Sequence, residues 1–413
     1  MATKTRLHLF EAFGVELEYM IVKDDSLNVT PLAEVLLRGA EGMIQGEIEH
    51  GDIAWSNELV SHVIELKSNG PKADLMALSN AFHENVVCIN EQLGTQGARL
   101  LPTAAHPWMN PSKETTLWPH ESGEIYEVYD RIFNCKGHGW SNLQSTHINL
   151  PFYDDEEFSK LHTAIRFIMP LIPALTASSP ILNGKYTGYQ DRRLYYYELN
   201  QARIPAITGK VIPERIFTKH GYQKRVYDKI ASAIEPYNSG GLLDPIWLNS
   251  RGAIARFDRG AIEIRVIDIQ ECPKGDLAIV ALVVAVLKIL VAGKWISFDV
   301  QQAHGTSELY HVFKECVKNG SDAIISDPEY LKALGYTNHQ KAHTVWLDLI
   351  DRTMEAYPSW MQPWSDVLRS IVNHGTLAER IIKSLNGDFS REELHAVYKK
   401  LSGCLQTNSL FVP

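Results

Sequence analysis

GVELEYMIV, residues 14–22, alternates between two kinds of side chain. One face carries an apolar series, Val15, Leu17, Tyr19 and Ile21. The other face carries Glu16 and Glu18, and this period of two predicts a β-strand with one buried side. Cα atoms two residues apart on a strand lie roughly 6.6 Å apart, so the two carboxylates can share one or two hard cations. The alternative is a solvated strand face.

A second pair of glutamates lies in residues 53–67, IAWSNELVSHVIELK, which is extended in pattern and rich in β-branched side chains. Glu65 lies between Ile64 and Leu66, so its burial without a counter-charge would be costly. Glu58 is the other acid of the segment. The counter-charge is either a metal ion or a salt bridge to Lys67 or to an arginine elsewhere.

Two further strands carry polar groups that suit the same chemistry. Residues 256–268, RFDRGAIEIRVID, place the carboxylate of Glu263 on the same face as the guanidinium of Arg265. A carboxylate suits Mg²⁺ and a guanidinium suits phosphate or carboxylate oxygens, although a cross-strand ion pair is the alternative. His147 lies on a predicted strand over residues 142–150, where it is either a ligand or a hydrogen-bonded core histidine.

Carboxylates on several strands, with Arg and His between them, are most simply stabilised by a divalent metal ion that carries the phosphates of a nucleotide. Mg²⁺ prefers oxygen ligands, whereas zinc calls for more His or Cys. The Gly-Lys pairs at Gly184, Gly209 and Gly293 lack the flanking residues of a Walker A sequence, and no G-x-G-x-x-G is present. The sequence therefore excludes a P-loop NTPase and a Rossmann dinucleotide site.

Composition narrows the class of protein further. The 413 residues carry a formal charge of -9 and no long basic block, which argues against a nucleic-acid partner. Five cysteines without a C-x-x-C pair argue against a disulfide framework and favour a reducing compartment. The N-terminal residues do not have the pattern of a secretory signal peptide, so we predict a cytoplasmic protein. The apolar run at residues 277–292 contains Lys288 and is shorter than the roughly 20 residues of a membrane span, which predicts a buried helix.

The chain divides into two parts by pattern. Strands and helices interleave as far as residue 296, including a helix that starts at Pro71 and one over residues 158–178. Residues 179–212 have the pattern of a long polar, aromatic loop. From residue 297 to 413 the pattern is helical. We therefore predict a catalytic domain at residues 1–296 and a helical region at 297–413 that packs on it.

Six short motifs occur in an order that resembles glutamate-cysteine ligase family 2, the carboxylate-amine ligases. They are GVELEY from Gly14, ELVSHVIELKS from Glu58, AHPW from Ala105, STHIN from Ser145, ASSPILNGKYTGYQDRR from Ala177 and GAIEIRVID from Gly260. The resemblance implies an α+β, glutamine-synthetase-like catalytic fold, with a curled antiparallel sheet and helices on its outer face.

The resemblance also implies site residues. The metal ligands for Mg²⁺, or alternatively Mn²⁺, would be Glu16, Glu18, Glu58, Glu65, His147 and Glu263. Arg265 and Arg193 would be catalytic. Arg256, Arg265 and His147 would contact the phosphates of ATP. Many members of one branch have His-x-His where this chain has His147-Ile148-Asn149, so the substrate on that side of the site is expected to differ.

The chemistry implied is ATP-dependent phosphorylation of a carboxylate, often the γ-carboxylate of glutamate, followed by attack of an amine such as that of cysteine. The expected partners are these small molecules, without nucleic acid or membrane, in a protein that forms a homodimer. Two alternatives remain at this point: a phosphotransferase or peptide-modifying ligase on the same scaffold, and a non-catalytic nucleotide-binding regulator.

Overall fold

The strand predicted at residues 14–22 is confirmed as β1, Gly14–Lys23, in the computed structural model, which describes residues 6–238 and 240–413. β1 lies inside an eight-stranded sheet and pairs with three other strands. The predicted apolar series of β1 is fully buried. Burial of one face and the polarity of the other hold β1 in a single register, because a slip of one residue would exchange the two faces.

All pairs within the large sheet are antiparallel. The strands of the large sheet are β1, β2 (Glu47–His50), β3 (Ile53–Asn57), β4 (Val63–Ser68), β5 (Ala98–Leu101), β6 (Ser145–Pro151), β9 (Ala253–Arg256) and β10 (Ala261–Asp268). Two separate two-stranded sheets consist of β7 (Ile181–Leu182) with β8 (Lys185–Tyr186) and of β11 (Ile324–Ile325) with β12 (Gln340–Lys341). The order across the large sheet is β2-β3-β4-β1-β6-β10-β9, and β5 also pairs with β1.

Twenty α-helices accompany the strands in the described part of the chain. As far as residue 296 they are α1 (Ala33–Leu36), α2 (Leu75–Gly94), α3 (Pro111–Glu114), α4 (Gly123–Phe133), α5 (His138–Ser141), α6 (Asp155–Ile168), α7 (Pro173–Thr176), α8 (Arg192–Leu199), α9 (Lys219–Tyr222), α10 (Asp228–Ile234), α11 (Pro245–Leu248) and α12 (Pro273–Val291). Beyond it they are α13 (Phe298–Ala303), α14 (Thr306–Asn319), α15 (Pro328–Leu334), α16 (Ala342–Ala356), α17 (Pro358–Met361), α18 (Ser365–His374), α19 (Leu377–Leu385) and α20 (Arg391–Thr407).

The apolar face of β1 shares one hydrophobic core with α2 and α12. α12 is buried along nearly its whole length, which confirms the helix predicted from its apolar run. Among residues 6–238 and 240–413, no helix combines the length and apolarity that a bilayer crossing requires. The core packs against the apolar face of β1 and thereby holds the polar face of the same strand in place.

Several predicted boundaries were wrong because turns interrupt the patterns. Residues 53–67 form β3 and β4, with Glu58 just after β3, and residues 256–268 form the hairpin of β9 and β10 around Gly260, whose φ is +67°.

The helix predicted from Pro71 begins at Leu75, because the Asp74 side chain accepts hydrogen bonds from two backbone amides of the first turn. The helix predicted over residues 158–178 is divided by Pro170 and Pro173, and α8 lies in the predicted loop at 179–212.

The region after residue 297 is helical as predicted, apart from β11 and β12. Its helices α14, α16 and α18 contribute to the core that contains β1. A second core joins Met20 and Val22 of β1 to α19 and α20. The division into two domains at residue 296 stays a prediction.

The C-terminal segment is fixed to the end of β10 by a buried ion pair. Arg380 of α19 pairs with Glu271, and both side chains are almost wholly buried. Arg380 Nη1 donates to the backbone carbonyl of Phe411 at 2.6 Å, and the amide of Phe411 donates to Glu271 Oε1 at 3.1 Å. The pair therefore satisfies both backbone groups of Phe411.

We expect Arg380→Met to destabilise the protein by about 3–5 kcal/mol, because it leaves the Glu271 carboxylate buried and unpaired. Urea unfolding measures this loss. The double variant Arg380→Met with Glu271→Gln should recover part of it. Arg369→Met, which removes an exposed pair with Asp351, is the matched control and should change stability by less than about 1 kcal/mol. Equal losses in the two single variants would contradict this interpretation.

Candidate metal and nucleotide site

The register of the antiparallel strands collects the predicted carboxylates on one face of the sheet. Glu18 of β1 is paired directly with Glu65 of β4, and Glu16 of β1 is paired with His147 of β6. Glu263 of β10 is paired with Asn149 of β6, two residues after His147. Residues paired across antiparallel strands have neighbouring side chains on the same face. Acids that are far apart in the sequence therefore become neighbours.

Two groups of three potential metal ligands share His147. In the first group, the ligand atoms of Glu16, His147 and Glu263 lie within 4.8 Å of one another. In the second group, those of Glu18, Glu65 and His147 do so. His147 Nδ1 lies 2.8 Å from Glu16 Oε2, and His147 Nε2 lies 3.9 Å from Glu18 Oε1. The two nitrogens of one imidazole thus face the two groups.

Hydroxyl and amide groups hold the carboxylates of these groups in place. The backbone amide and the hydroxyl of Ser145 lie 2.7 and 2.9 Å from Glu18 Oε2. Ser56 Oγ donates to Glu65 Oε2 at 2.5 Å, and Asn149 Nδ2 donates to Glu16 Oε1 at 3.0 Å. Each of these contacts uses one oxygen, so the second oxygen of Glu18 and of Glu65 is left for a cation.

Glu58 lies beside the second group but outside both sets. It follows β3 in the turn toward β4, and the amide of Leu59 donates to its Oε2 at 3.4 Å. Burial and the negative charges of Glu18 and Glu65 raise the pKa of Glu58 well above its usual range. Its predicted role as a metal ligand stays a prediction.

Burial and mutual repulsion shift the pKa values of these acids upward. Burial, together with the charge of Glu263, raises the pKa of Glu16 to about 6. Burial, together with the charge of Glu16, raises the pKa of Glu65 to about 7. Burial also raises the pKa of Glu18. Carboxylates forced together in a poorly solvated place either bind protons or bind a cation. Oxygen ligands with one imidazole fit Mg²⁺ or Mn²⁺.

Arginines neutralise the β10 side of the face. Arg265 Nε lies 3.0 Å from Glu263 Oε1, and Arg256 Nη1 lies 3.9 Å from Glu263 Oε2. Although burial is the largest single effect and would raise the pKa of Glu263, the charges of Arg265, His147, Arg256 and Arg259 together outweigh it, and the pKa is lowered. The nearby negative charges also raise the pKa of Arg265. The two guanidinium groups predicted to contact phosphate therefore lie at the edge of the carboxylate cluster.

Arg193 has the contacts of a positioning residue. It is 2% exposed, and its guanidinium donates to three backbone carbonyls: Gln144 at 3.2 Å, Arg265 at 2.7 Å and Ile267 at 3.1 Å. It also lies 3.4 Å from the carboxylate of Asp268. These contacts hold β10 against the start of β6. The predicted contact of Arg193 with substrate stays a prediction, and its observed contacts are with the protein itself.

The sequence reasoning missed several residues at this face. Ser145 lies two residues before His147 on the same strand, so the period of two could have found it. Ser56 could not be placed without the pairing of β3 with β4. Lys67 was predicted as an alternative salt-bridge partner of Glu65, and its Nζ lies 3.6 Å from Glu65 Oε2, but its location opposite Glu16 required the pairing of β4 with β1. Tyr126 accepts a hydrogen bond from Asn57 at 3.2 Å, and the ring of Tyr197 lies 6.0 Å from the guanidinium carbon of Arg193. No spacing in the sequence connects these tyrosines with the carboxylates.

The raised pKa values predict how stability depends on pH when no metal is present. A carboxyl whose pKa is higher in the folded chain stabilises the fold when protonated, and this contribution disappears as pH rises through 6 to 7. In EDTA, we expect the melting temperature to fall between pH 5 and pH 8. In Glu65→Gln the fall should be smaller by roughly 3 °C, because Gln does not ionise.

Differential scanning fluorimetry measures this pH profile. Glu355→Gln, at an exposed position of α16, is the control and should follow the unsubstituted chain. Excess Mg²⁺ should raise the melting temperature more at pH 8 than at pH 5. If Glu65→Gln and the unsubstituted chain have parallel profiles, ionisation of the buried Glu65 is not a source of the pH dependence.

Comparison with known proteins places the chain in a family. The sequence profile of glutamate-cysteine ligase family 2 matches residues 12–400. A protein of Archaeoglobus fulgidus, itself uncharacterised, is 32% identical over 403 residues, which are 97% of this chain and 100% of that protein.

Two solved structures have a similar fold at low sequence identity. Glutamate-cysteine ligase of Francisella tularensis, solved in complex with AMP, aligns at a TM-score of 0.65 and 14% identity, over 98% of this chain and 90% of that one. A bifunctional glutathione synthetase of Pasteurella multocida aligns at a TM-score of 0.59 and 13% identity, over 97% of this chain and 52% of that one. Because the family profile extends over nearly the whole chain, the protein belongs to glutamate-cysteine ligase family 2.

Proposed function

We propose that the protein is an ATP-dependent ligase that joins a carboxylate to an amine through an acyl phosphate. The observation that carries the proposal is the buried carboxylate face, in which two groups of ligands share His147 and arginines lie at one edge. Membership of a ligase family supports it, as does the similarity in fold to a glutamate-cysteine ligase that was solved with AMP. We further propose that the sheet is the curled sheet of a glutamine-synthetase-like fold.

The residues of the face fit a divalent metal ion. Glu16 and Glu263 would hold one ion, and Glu18 and Glu65 a second, with Glu58 beside them. Because a neutral imidazole has one nitrogen with a free lone pair, His147 would ligate one of these two ions and not both. Bound Mg²⁺ or Mn²⁺ supplies charge neutralisation for the phosphates of ATP. Ser145, Ser56 and Asn149 keep the carboxylates in orientation whether or not a cation is bound, because they hold individual oxygens by hydrogen bonds.

The reaction that we propose takes place in two steps. An oxygen of the substrate carboxylate attacks the γ-phosphorus of ATP, the bond to the bridging oxygen breaks, and ADP leaves with the electron pair. The amine nitrogen then attacks the acyl carbon, loses a proton, and displaces inorganic phosphate. Phosphorylation is needed because a free carboxylate has no adequate leaving group.

The arginines of this chain orient the transferring group. Arg265 presents a planar fork of donors that matches two oxygens of a phosphoryl group, and Glu263 fixes that fork at 3.0 Å. Arg256 reaches the same carboxylate from β9. Arg193 holds the backbone of β10 at Arg265 and Ile267, so it sets where Arg265 lies. Such fixed charges are the main contribution that a protein makes to phosphoryl transfer.

We propose glutamate as the carboxylate substrate and a small amine, such as the amine of cysteine, as its partner.

The test mixes full-length protein, Mg-ATP and glutamate with a panel of amines, and follows ADP release and the mass of the product. Release of ADP that requires both substrates, with a product lighter than their sum by one water, supports ligation. A phosphorylated product indicates a phosphotransferase. Nucleotide binding without turnover on any amine or peptide indicates a regulator. ADP release that is indifferent to the amine would contradict the ligase.

Substitutions in the face test the roles of individual residues. We expect Glu18→Gln to lower kcat by about 100-fold or more, because it removes a charge from the second ligand group. Arg265→Lys should lower kcat by a similar factor, because a point charge cannot replace a bidentate fork.

Steady-state kinetics in excess Mg²⁺ measures both losses. Glu355→Gln serves again as the control and should retain full activity. Glu18→Gln should fold, since it relieves repulsion in the metal-free chain, and its melting temperature in EDTA should equal or exceed that of the unsubstituted protein. Unchanged kcat in both folded variants would overturn the assignment of the site.

A further inference from the structure

A lysine lies among the carboxylates on the same face of the sheet. Lys67 follows Glu65 by two residues on β4, so both side chains point toward the predicted metal ligands. In the pairing of β4 with β1, Lys67 lies directly opposite Glu16. Such partners have Cβ atoms about 4.5–5.5 Å apart. Lys67 is therefore adjacent to one acid from each of the two ligand groups.

The contacts of Lys67 place its ammonium group between an inner and an outer carboxylate. Lys67 Nζ lies 3.6 Å from Glu65 Oε2 and 2.6 Å from Glu47 Oε2. Glu47, on the edge strand β2, is 48% exposed, whereas the Glu65 side chain is 11% exposed. Glu47 therefore holds the ammonium at the open margin of the face, within electrostatic reach of the buried acid.

The charges are unevenly distributed across the sheet. On the β10 side, Arg265 and Arg256 are both within 4.0 Å of Glu263. On the β4 side, Lys67 is the one lysine or arginine within 4.0 Å of Glu65 in the described part of the chain. The second ligand group consequently has a permanent positive charge at its border that is supplied by the protein itself.

We propose that the ammonium group of Lys67 is a built-in counter-cation, which weakens divalent metal binding at the Glu18–Glu65–His147 group until a nucleotide is bound. The proposal rests on the proposed function, since it assumes that this group binds the metal ion of an ATP-dependent enzyme. It assigns Lys67 the role of a positioning residue that links metal binding to nucleotide binding.

The physical reason is electrostatic. A fixed positive charge a few ångströms from a partly buried site opposes the entry of a doubly charged cation. Nucleotide phosphates bring negative charge to the same place, so they are attracted by Lys67 and by the metal ion together. Metal and nucleotide then raise each other's affinity, which is a positive coupling between the two ligands. Without Lys67, the metal ion binds more readily on its own and the coupling decreases.

Binding of Mn²⁺ to the full-length protein tests this directly, by isothermal titration calorimetry with electron paramagnetic resonance to count bound ions. Without nucleotide, we expect Lys67→Gln to bind Mn²⁺ about tenfold more tightly than the unsubstituted chain, which corresponds to removal of one nearby positive charge. With a nonhydrolysable ATP analogue present, the two proteins should differ by less. The ratio of the Mn²⁺ affinities with and without the analogue should therefore be smaller in Lys67→Gln.

Two controls separate the charge of Lys67 from other effects. Lys72→Gln removes a lysine of similar exposure whose partner is Asp52 outside the face, and it should bind Mn²⁺ like the unsubstituted chain. Glu47→Gln removes the outer partner but keeps the ammonium, and it should bind Mn²⁺ no more tightly than the unsubstituted chain. If Lys67→Gln and Lys72→Gln have equal Mn²⁺ affinities, the inference is overturned while the metal site stands. If none of the proteins binds Mn²⁺ with or without the analogue, the proposed function fails as well.

Discussion

Like charges held together on a poorly solvated surface are the constraint on which this structure depends. Glu16, Glu18, Glu65 and Glu263 would separate if the strands that carry them were free to move. They stay close because the opposite face of the sheet is packed against α2 and α12 in one continuous core. Hydrophobic burial on one face of the sheet thus offsets repulsion between the carboxylates on the other face. The apolar series of β1 therefore helps to hold the carboxylates together, although it lies on the opposite face.

Neutralisation of this face is divided between the protein and its expected ligands. Hydrogen bonds from Ser145, Ser56 and Asn149 fix single carboxylate oxygens, and arginines on β9 and β10 neutralise Glu263. The acids in the middle of the sheet keep raised pKa values, which marks them as the part of the face that the folded chain neutralises only in part. Such a face is consistent with the ligase that we propose, in which bound cations would supply the missing positive charge.

The sequence predicted which strands carry the acids, because a period of two is local. β1 was found to within a residue, and the buried helix α12 was found from its apolar run. The pairing of strands is not local, so the contact of Glu18 with Glu65 and the location of Lys67 opposite Glu16 required the register. Arg193 illustrates a different limit: its type and motif indicated a substrate contact, whereas its hydrogen bonds run to backbone carbonyls of β10 and of Gln144, the residue before β6. Residue type identifies what a group can bind but not what surrounds it.

The attachment of Phe411 has a consequence for local unfolding. Glu271 follows β10, the strand of Glu263 and Arg265, by three residues, and its buried partner Arg380 holds the backbone carbonyl of Phe411. Detachment of the segment around Phe411 would remove one backbone partner from the guanidinium and one from the carboxylate. Opening of this segment is therefore energetically coupled to the end of β10, and the rate of amide hydrogen exchange at Phe411 reports on the integrity of that strand.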